Sequence, residues 1–131
     1  MKRDRFTPDH LARLLSGMLI TIGVVHFIAP RPFDEIIPRE IPGDPRRLTY
    51  ASGAAEIAIG AGLRAPQTRR LSAAAAAALF VAVYPANINM VRMWWDKPLA
   101  YKAIAIGRLP LQLPMIWAAY KVAKAPVDPQ R

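Results

Sequence analysis

Glu56 is the one charged residue in the apolar stretch Leu48 to Leu63 (LTYASGAAEIAIGAGL). A carboxylate among apolar helices is costly unless it faces a helix interior, a partner or water, so its position marks a candidate site. Four further residues in apolar runs can titrate or hydrogen-bond: His26, Asn87, Arg108 and Gln112. A carboxylate with an imidazole can exchange protons with a ligand whose reduction or transport is coupled to protonation. The chain has no cysteine, which excludes disulfides, thiolate nucleophiles and Cys metal ligands. No metal site and no self-sufficient catalytic motif is read, so any redox work needs a bound cofactor or another subunit.

The elements that must position these residues are long apolar runs. Leu14 to Pro30 and Leu71 to Val91 carry no formal charge, and each approaches the roughly 20 residues that cross a bilayer. Leu48 to Leu63 and the run from Ile104 to Tyr120 are weaker spans, one holding Glu56 and the other Arg108 and two prolines. A soluble helical domain of this length has too small an interior to hide helices that are apolar on every side. The expected fold is therefore all-α: one domain, residues 1–131, forming a membrane-embedded four-helix bundle with spans near 9–29, 48–64, 70–91 and 104–122.

Depth and facing bring the polar residues to one level. At a rise of about 1.5 Å per residue, His26 lies late on the first span, Asn87 late on the third, Arg108 and Gln112 early on the fourth, and Glu56 near mid-span. Thr49, Ser52, Glu56 and Gly60 share one helical stripe, and Phe80, Tyr84 and Asn87 another. Pro85 removes a backbone donor and is expected to kink the third span near Val81, freeing a carbonyl beside Asn87. The predicted site is thus a pocket of His26, Glu56, Asn87 and Gln112 with Arg108 at its rim. Phe27, Phe80 and Tyr84 are its expected apolar walls, and Glu56 is protonated or shares a proton with His26. Each polar residue also has a structural reading: a helix-to-helix hydrogen bond for His26, packing or pairing with Arg108 for Glu56, lipid headgroups for Arg108, interhelical bonds for the two amides.

Charge is dispersed. The 18 Lys and Arg against 9 Asp and Glu occupy both termini and every connection, not one face, which argues against nucleic acid. With the N-terminus cytoplasmic, Lys2, Arg3, Arg5, Arg13, Arg64, Arg69, Arg70, Lys121, Lys124 and Arg131 fall inside, a small excess that favours both termini in the cytoplasm. The basic start followed by an apolar run has no A-x-A cleavage site and reads as an uncleaved first span. Ala65 to Arg70 is a tight turn making the second and third spans antiparallel neighbours. Arg31 to Leu48, with Phe33, Ile36 and Ile37 at helical spacing, and Arg92 to Lys102 read as two short amphipathic interfacial segments covering the outer end. Phe33, Tyr50, Trp94, Trp95 and Tyr101 would form an outer aromatic belt, Trp117 and Tyr120 an inner one. Gly53, Gly60 and the alanines 73–77 permit close helix packing and predict a homodimer or a heteromeric complex.

Five segments carry a family resemblance: GVVHFIAPRPF (23–33), SGAAEI (52–57), PQTRR (66–70), YPANI (84–88) and RLPLQ (108–112). Together they resemble the DoxX-like small bacterial membrane proteins, over nearly the whole chain from about Gly17 to Trp117. The resemblance implies a multi-pass protein of the bacterial cytoplasmic membrane and points to quinone-linked or other membrane redox chemistry. A family role needing its own thiols would not transfer to this cysteine-free chain.

Three function classes follow. In a redox-linked subunit, His26 and Glu56 hydrogen-bond a quinone or similar flat lipophilic head; haem is disfavoured because His10, at the start of the first span, is poorly placed to join His26. In a small proton-coupled transporter, Glu56 exchanges a proton for a cationic solute, although in small multidrug exporters the acidic residue is on the first span. In an accessory or assembly protein the polar residues are structural. Membrane lipids are partners in all three.

Overall fold

The computed structural model describes residues 6–126; Lys2, Arg3, Arg5 and Arg131 of the charge reading lie outside them. Among the described residues the chain is all-helical, with no strand. The helices are α1 (Pro8–Ile28), α2 (Arg31–Ile36), α3 (Pro45–Arg64), α4 (Arg69–Ala82), α5 (Tyr84–Met93) and α6 (Leu99–Ala123). The four apolar runs become α1, α3, α4 with α5, and α6; the last begins at Leu99, before the expected 104. Two helical runs, Pro8–Ile28 and Arg69–Met93, are long and apolar enough to cross a membrane.

Local chemistry sets the boundaries. Thr7 caps α1 by accepting from the His10 amide, and Pro8 occupies a first-turn position where its missing N–H costs nothing. Gly43, at φ +115°, supplies the left-handed backbone that turns the chain from α2 into α3. Pro85 divides the third run, but the break falls at Val83 (φ −85°, ψ −4°) and not at Val81. The proline sits in the first turn of α5, where it is tolerated. The Arg92 to Lys102 connection is a further correction: α5 runs to Met93, residues 94–98 turn, and α6 starts at once. Only the first of the two expected surface segments is a helix of its own, α2. Lys97 lies over both Trp94 and Tyr101, tightening the turn into a compact cation–aromatic corner.

α1 and α3 pack most intimately, antiparallel, through glycine. A Cβ on Gly53 would stand 2.7 Å from His26 Cβ, and one on Gly60 2.7 Å from Ile20 Cγ1, so only glycine allows this approach. Ser16 Oγ donates to the Gly60 carbonyl (2.7 Å) and accepts from Arg64 Nε (2.8 Å), tying the same seam. α4 packs antiparallel on α6 through Ala73, Ala76, Ala118 and Ala119, all buried. At the α3–α4 turn the basic residues bind helix ends: Arg69 Nε reaches the Leu63 carbonyl and Arg70 Nε the Ala123 carbonyl, which completes acceptors that the helices leave open. Arg69 also pairs with Asp9 at 2.7 Å.

Several polar side chains are buried beside the apolar core, while many large apolar side chains are exposed. Ser16, His26, Thr49, Glu56, Asn87 and Gln112 are buried, whereas Leu14, Val24, Ile28, Leu71, Val81, Ile104, Leu111 and Leu113 are exposed. One apolar cluster, around Leu15, Leu19, Leu63, Phe80 and Val122, fills the end near the α3–α4 turn. A smaller one, Ile36, Met90 and Ala105, lies under α2.

Candidate ligand cavity

A cavity of about 270 Å³ lies between these clusters, touching Leu19 and Phe80 of the first and Ile36 of the second. It stands just below the roughly 300–1,000 Å³ of small-molecule sites. α1 contributes His26, α3 contributes Thr49, Ser52 and Glu56, the α4–α5 run Phe80 and Asn87, and α6 Arg108 and Gln112. Spacing explains this: His26, Glu56 and Gln112 each fall on the inward stripe of their helix, and the break at Val83 lets Phe80 and Asn87 face the same space.

His26 and Glu56 meet with Nδ1 3.3 Å from Oε2, and both residues are more than nine-tenths buried, at 6% and 8% exposed. His26 Nδ1 lies 2.7 Å from the Ile22 carbonyl, which can only accept, so Nδ1 carries the hydrogen and directs it there. In the neutral ring Nε2 is then an acceptor. Glu56 Oε2 consequently has no hydrogen-bond partner, and Thr49 Oγ1 and Asp34 Oδ1 are also buried oxygens without one. The His26 ring is held by stacking on Phe33, with centroids 3.8 Å apart.

The amides are closed on themselves. Asn87 Nδ2 donates to Gln112 Oε1 at 3.3 Å, and Gln112 Nε2 donates to the Phe80 carbonyl at 2.8 Å, in the last turn of α4 before the break. The carbonyl taken by α6 is that of Phe80 and not that of Val81, four residues before Pro85, and the interhelical reading of both amides fits this geometry. Arg108 makes no ion pair with Glu56; its hydrogen-bond acceptor among the described residues is the Met90 thioether, 3.8 Å away.

Two expected walls are misplaced. Phe27 follows His26 by one residue, about 100° around the helix, so it points outward and stacks on Tyr50. Tyr84 opens α5 and turns its hydroxyl to the Leu109 carbonyl at 3.5 Å. Phe33 and Ile36 of α2, with Ile37 directly after it, line the cavity in their stead. Their helical spacing had marked a surface segment; that this segment folds down over His26 had no local signal.

Outside the cavity, Asp34 of α2 accepts from Arg46 Nε at 2.8 Å. Burial pushes the Asp34 carboxyl up, but the neighbouring Thr49 hydroxyl and Arg46 outweigh it and hold it below the ordinary aspartate value. The Arg46 bond is the better formed of the two, because Thr49 Oγ1 does not reach hydrogen-bond geometry.

A family model covers most of this architecture, residues 15–123. The chain belongs to DUF8561, a domain of unknown function. The match runs from α1 to the end of α6 and so includes every residue of the cavity. No curated protein and no solved structure matches the chain.

Proposed function

We propose that this DUF8561 protein is a four-span protein of the bacterial cytoplasmic membrane, DoxX-like in kind, that holds a small lipophilic ring compound such as a quinone beneath α2. Exposed leucines and isoleucines around buried polar residues favour a lipid-facing surface, since lipid reverses the usual sorting by water. Lysines over aromatic rings occur at both ends, Lys102 on Trp95 and Lys121 on Trp117, as suits residues anchored at two interfaces. Both termini then lie in the cytoplasm, and the cavity opens towards the outer leaflet.

One observation carries the ligand reading: Glu56, with a buried carboxylate oxygen that has no hydrogen-bond partner, lines a cavity of mixed polar and apolar side chains. Such a group calls for a ligand, water or proton. A flat ring fits between Phe33, Ile36 and Phe80, and Arg108 supplies a donor at the rim. When bound, a quinone would supply the electron chemistry; the chain supplies the polar contacts and excludes water. Assembly with a second copy or a redox partner belongs to this reading, the outward leucines and isoleucines being its available surface.

Purification in native lipid, followed by mass spectrometry of the extract, tests it. A ring lipophile enriched over the total membrane extract is expected, depleted in Glu56→Leu and altered in amount in Glu56→Gln. Recovery of phospholipid alone, equal in all three proteins, would sink the proposal.

A further inference from the structure

The two ends of the bundle differ in how far acid offsets base. At the α2 end Asp34, Glu35, Glu40, Asp44 and Asp96 are interleaved with the basic residues, whereas at the end holding the α3–α4 turn Asp9 is the one described acid. Asp9 is taken by Arg69, whose other nitrogens reach the Leu63 and Arg64 carbonyls. Arg13, Lys121 and Lys124 have no hydrogen-bond acceptor among the described residues, and Arg70 uses only Nε, on the Ala123 carbonyl. Like charges gathered at one end with so little acid create a field that draws an anion.

α6 sets the depth of these charges. Leu113, Trp117, Tyr120, Lys121 and Lys124 share one stripe of the helix, and Leu113 and both rings are exposed. Lys121 Nζ lies 5.2 Å from the Trp117 ring centre and Lys124 Nζ 5.9 Å from that of Tyr120. Rings of this kind settle at the membrane–water interface, so the ammonium groups over them stand at headgroup level. Arg70, bonded to the Ala123 carbonyl, brings its free Nη groups to the same last turn of α6. A recess of about 520 Å³ between the starts of α1 and α4 and the end of α6 shares Arg70 with this cluster. Resting on the membrane-spanning reading above, we propose that this end binds an anionic phospholipid, its phosphate held by Arg70, Lys121 and Lys124 and its acyl chain running along Trp117 and Leu113. Basic recesses between membrane helices suit such head groups. A choline lipid offers the same phosphate, but its own quaternary ammonium cancels the charge and is repelled by the three cations.

Native mass spectrometry of the full-length protein released from nanodiscs of equimolar phosphatidylglycerol and phosphatidylcholine, with matched acyl chains, counts the lipids it retains. One basic residue near an anionic surface corresponds to about fivefold in affinity, so phosphatidylglycerol is expected to be enriched at least about fivefold. In the double variant Lys121→Gln, Lys124→Gln, which breaks no hydrogen bond among the described residues, the enrichment is expected to fall below about twofold. Arg70→Gln is expected to lower it as well. The double variant Arg39→Gln, Arg92→Gln removes the same charge from the α2 end and is expected to leave it unchanged. Inorganic phosphate, at an ionic strength matched with chloride, is expected not to displace the retained lipid; displacement would overturn the assignment to a lipid. Equal retention of the two lipids by the wild-type protein, or an equal fall in both double variants, overturns the proposal and leaves the membrane reading standing. A chain that does not enter nanodiscs overturns both.

Discussion

At the scale of single residues, two carboxylates of this protein serve opposite ends. Glu56 has lost its hydrogen-bond partner to the folded geometry of its neighbour, because His26 gives its Nδ1 proton to its own helix. Asp34 has found one: Arg46, 12 residues on, clamps α2 to the start of α3. Since the folded Asp34 carboxyl sits below its ordinary value of 3.8, ionised Asp34 contributes stability above that value, and the contribution is lost as pH falls through the lower, folded one. Asp34→Asn is therefore expected to lower Tm slightly at neutral pH, slightly because the Arg46 side chain is 43% exposed. The gap to wild type should close as the solution is taken well below pH 3.8. A thermal scan series by circular dichroism checks this; a gap independent of pH would refute the role given to the pair.

At the scale of elements, the glycines separate into those that position the site and those that do not. Gly53 and Gly60 set the α1–α3 distance and hence the His26–Glu56 contact, whereas a Cβ on Gly17 or Gly107 meets nothing within 4 Å. Gly53→Ala and Gly60→Ala are expected to destabilise by about 1–3 kcal/mol through overpacking against neighbouring backbone and Cβ atoms. Gly17→Ala is expected to be neutral or to stabilise by about 0.5–1 kcal/mol, the ordinary helical gain. Unfolding in mixed detergent micelles measures all three, and a cost at Gly17 as large as that at Gly53 would contradict this packing. Because α1 already covers Gly53 and Gly60, these glycines are unavailable to a second copy. A dimer would use outward residues such as Leu71, Ala74 and Val81 instead.

For the whole molecule, the many exposed apolar side chains join the fold to its proposed setting. With cytoplasmic termini, the α3–α4 turn faces the cytoplasm and the α2 end faces outward. The absence of native cysteine makes single-cysteine labelling clean. In spheroplasts a membrane-impermeant maleimide is expected to label Asp44→Cys directly and Gln67→Cys only after permeabilisation. Labelling of Gln67→Cys from outside would reverse the topology.

Read by itself, the sequence determined the helical elements and the level at which polar residues stand along them, because apolar run length and rise per residue are local quantities. The stripe of Thr49, Ser52, Glu56 and Gly60, and the inward placing of Gln112, were legible for the same reason. Tertiary structure alone decided who pairs with whom. Which way Phe27 points depends on where α3 lies, the break at Val83 in place of Val81 on how α6 captures the Phe80 carbonyl, and the stacking of Phe33 on His26 on α2 folding back over the helix ends. Those outcomes depend on contacts between residues distant in the chain, which no local period encodes. Glu56 was conspicuous from its composition alone, but that its oxygen is left without a partner follows only from the proton of His26 being committed to Ile22.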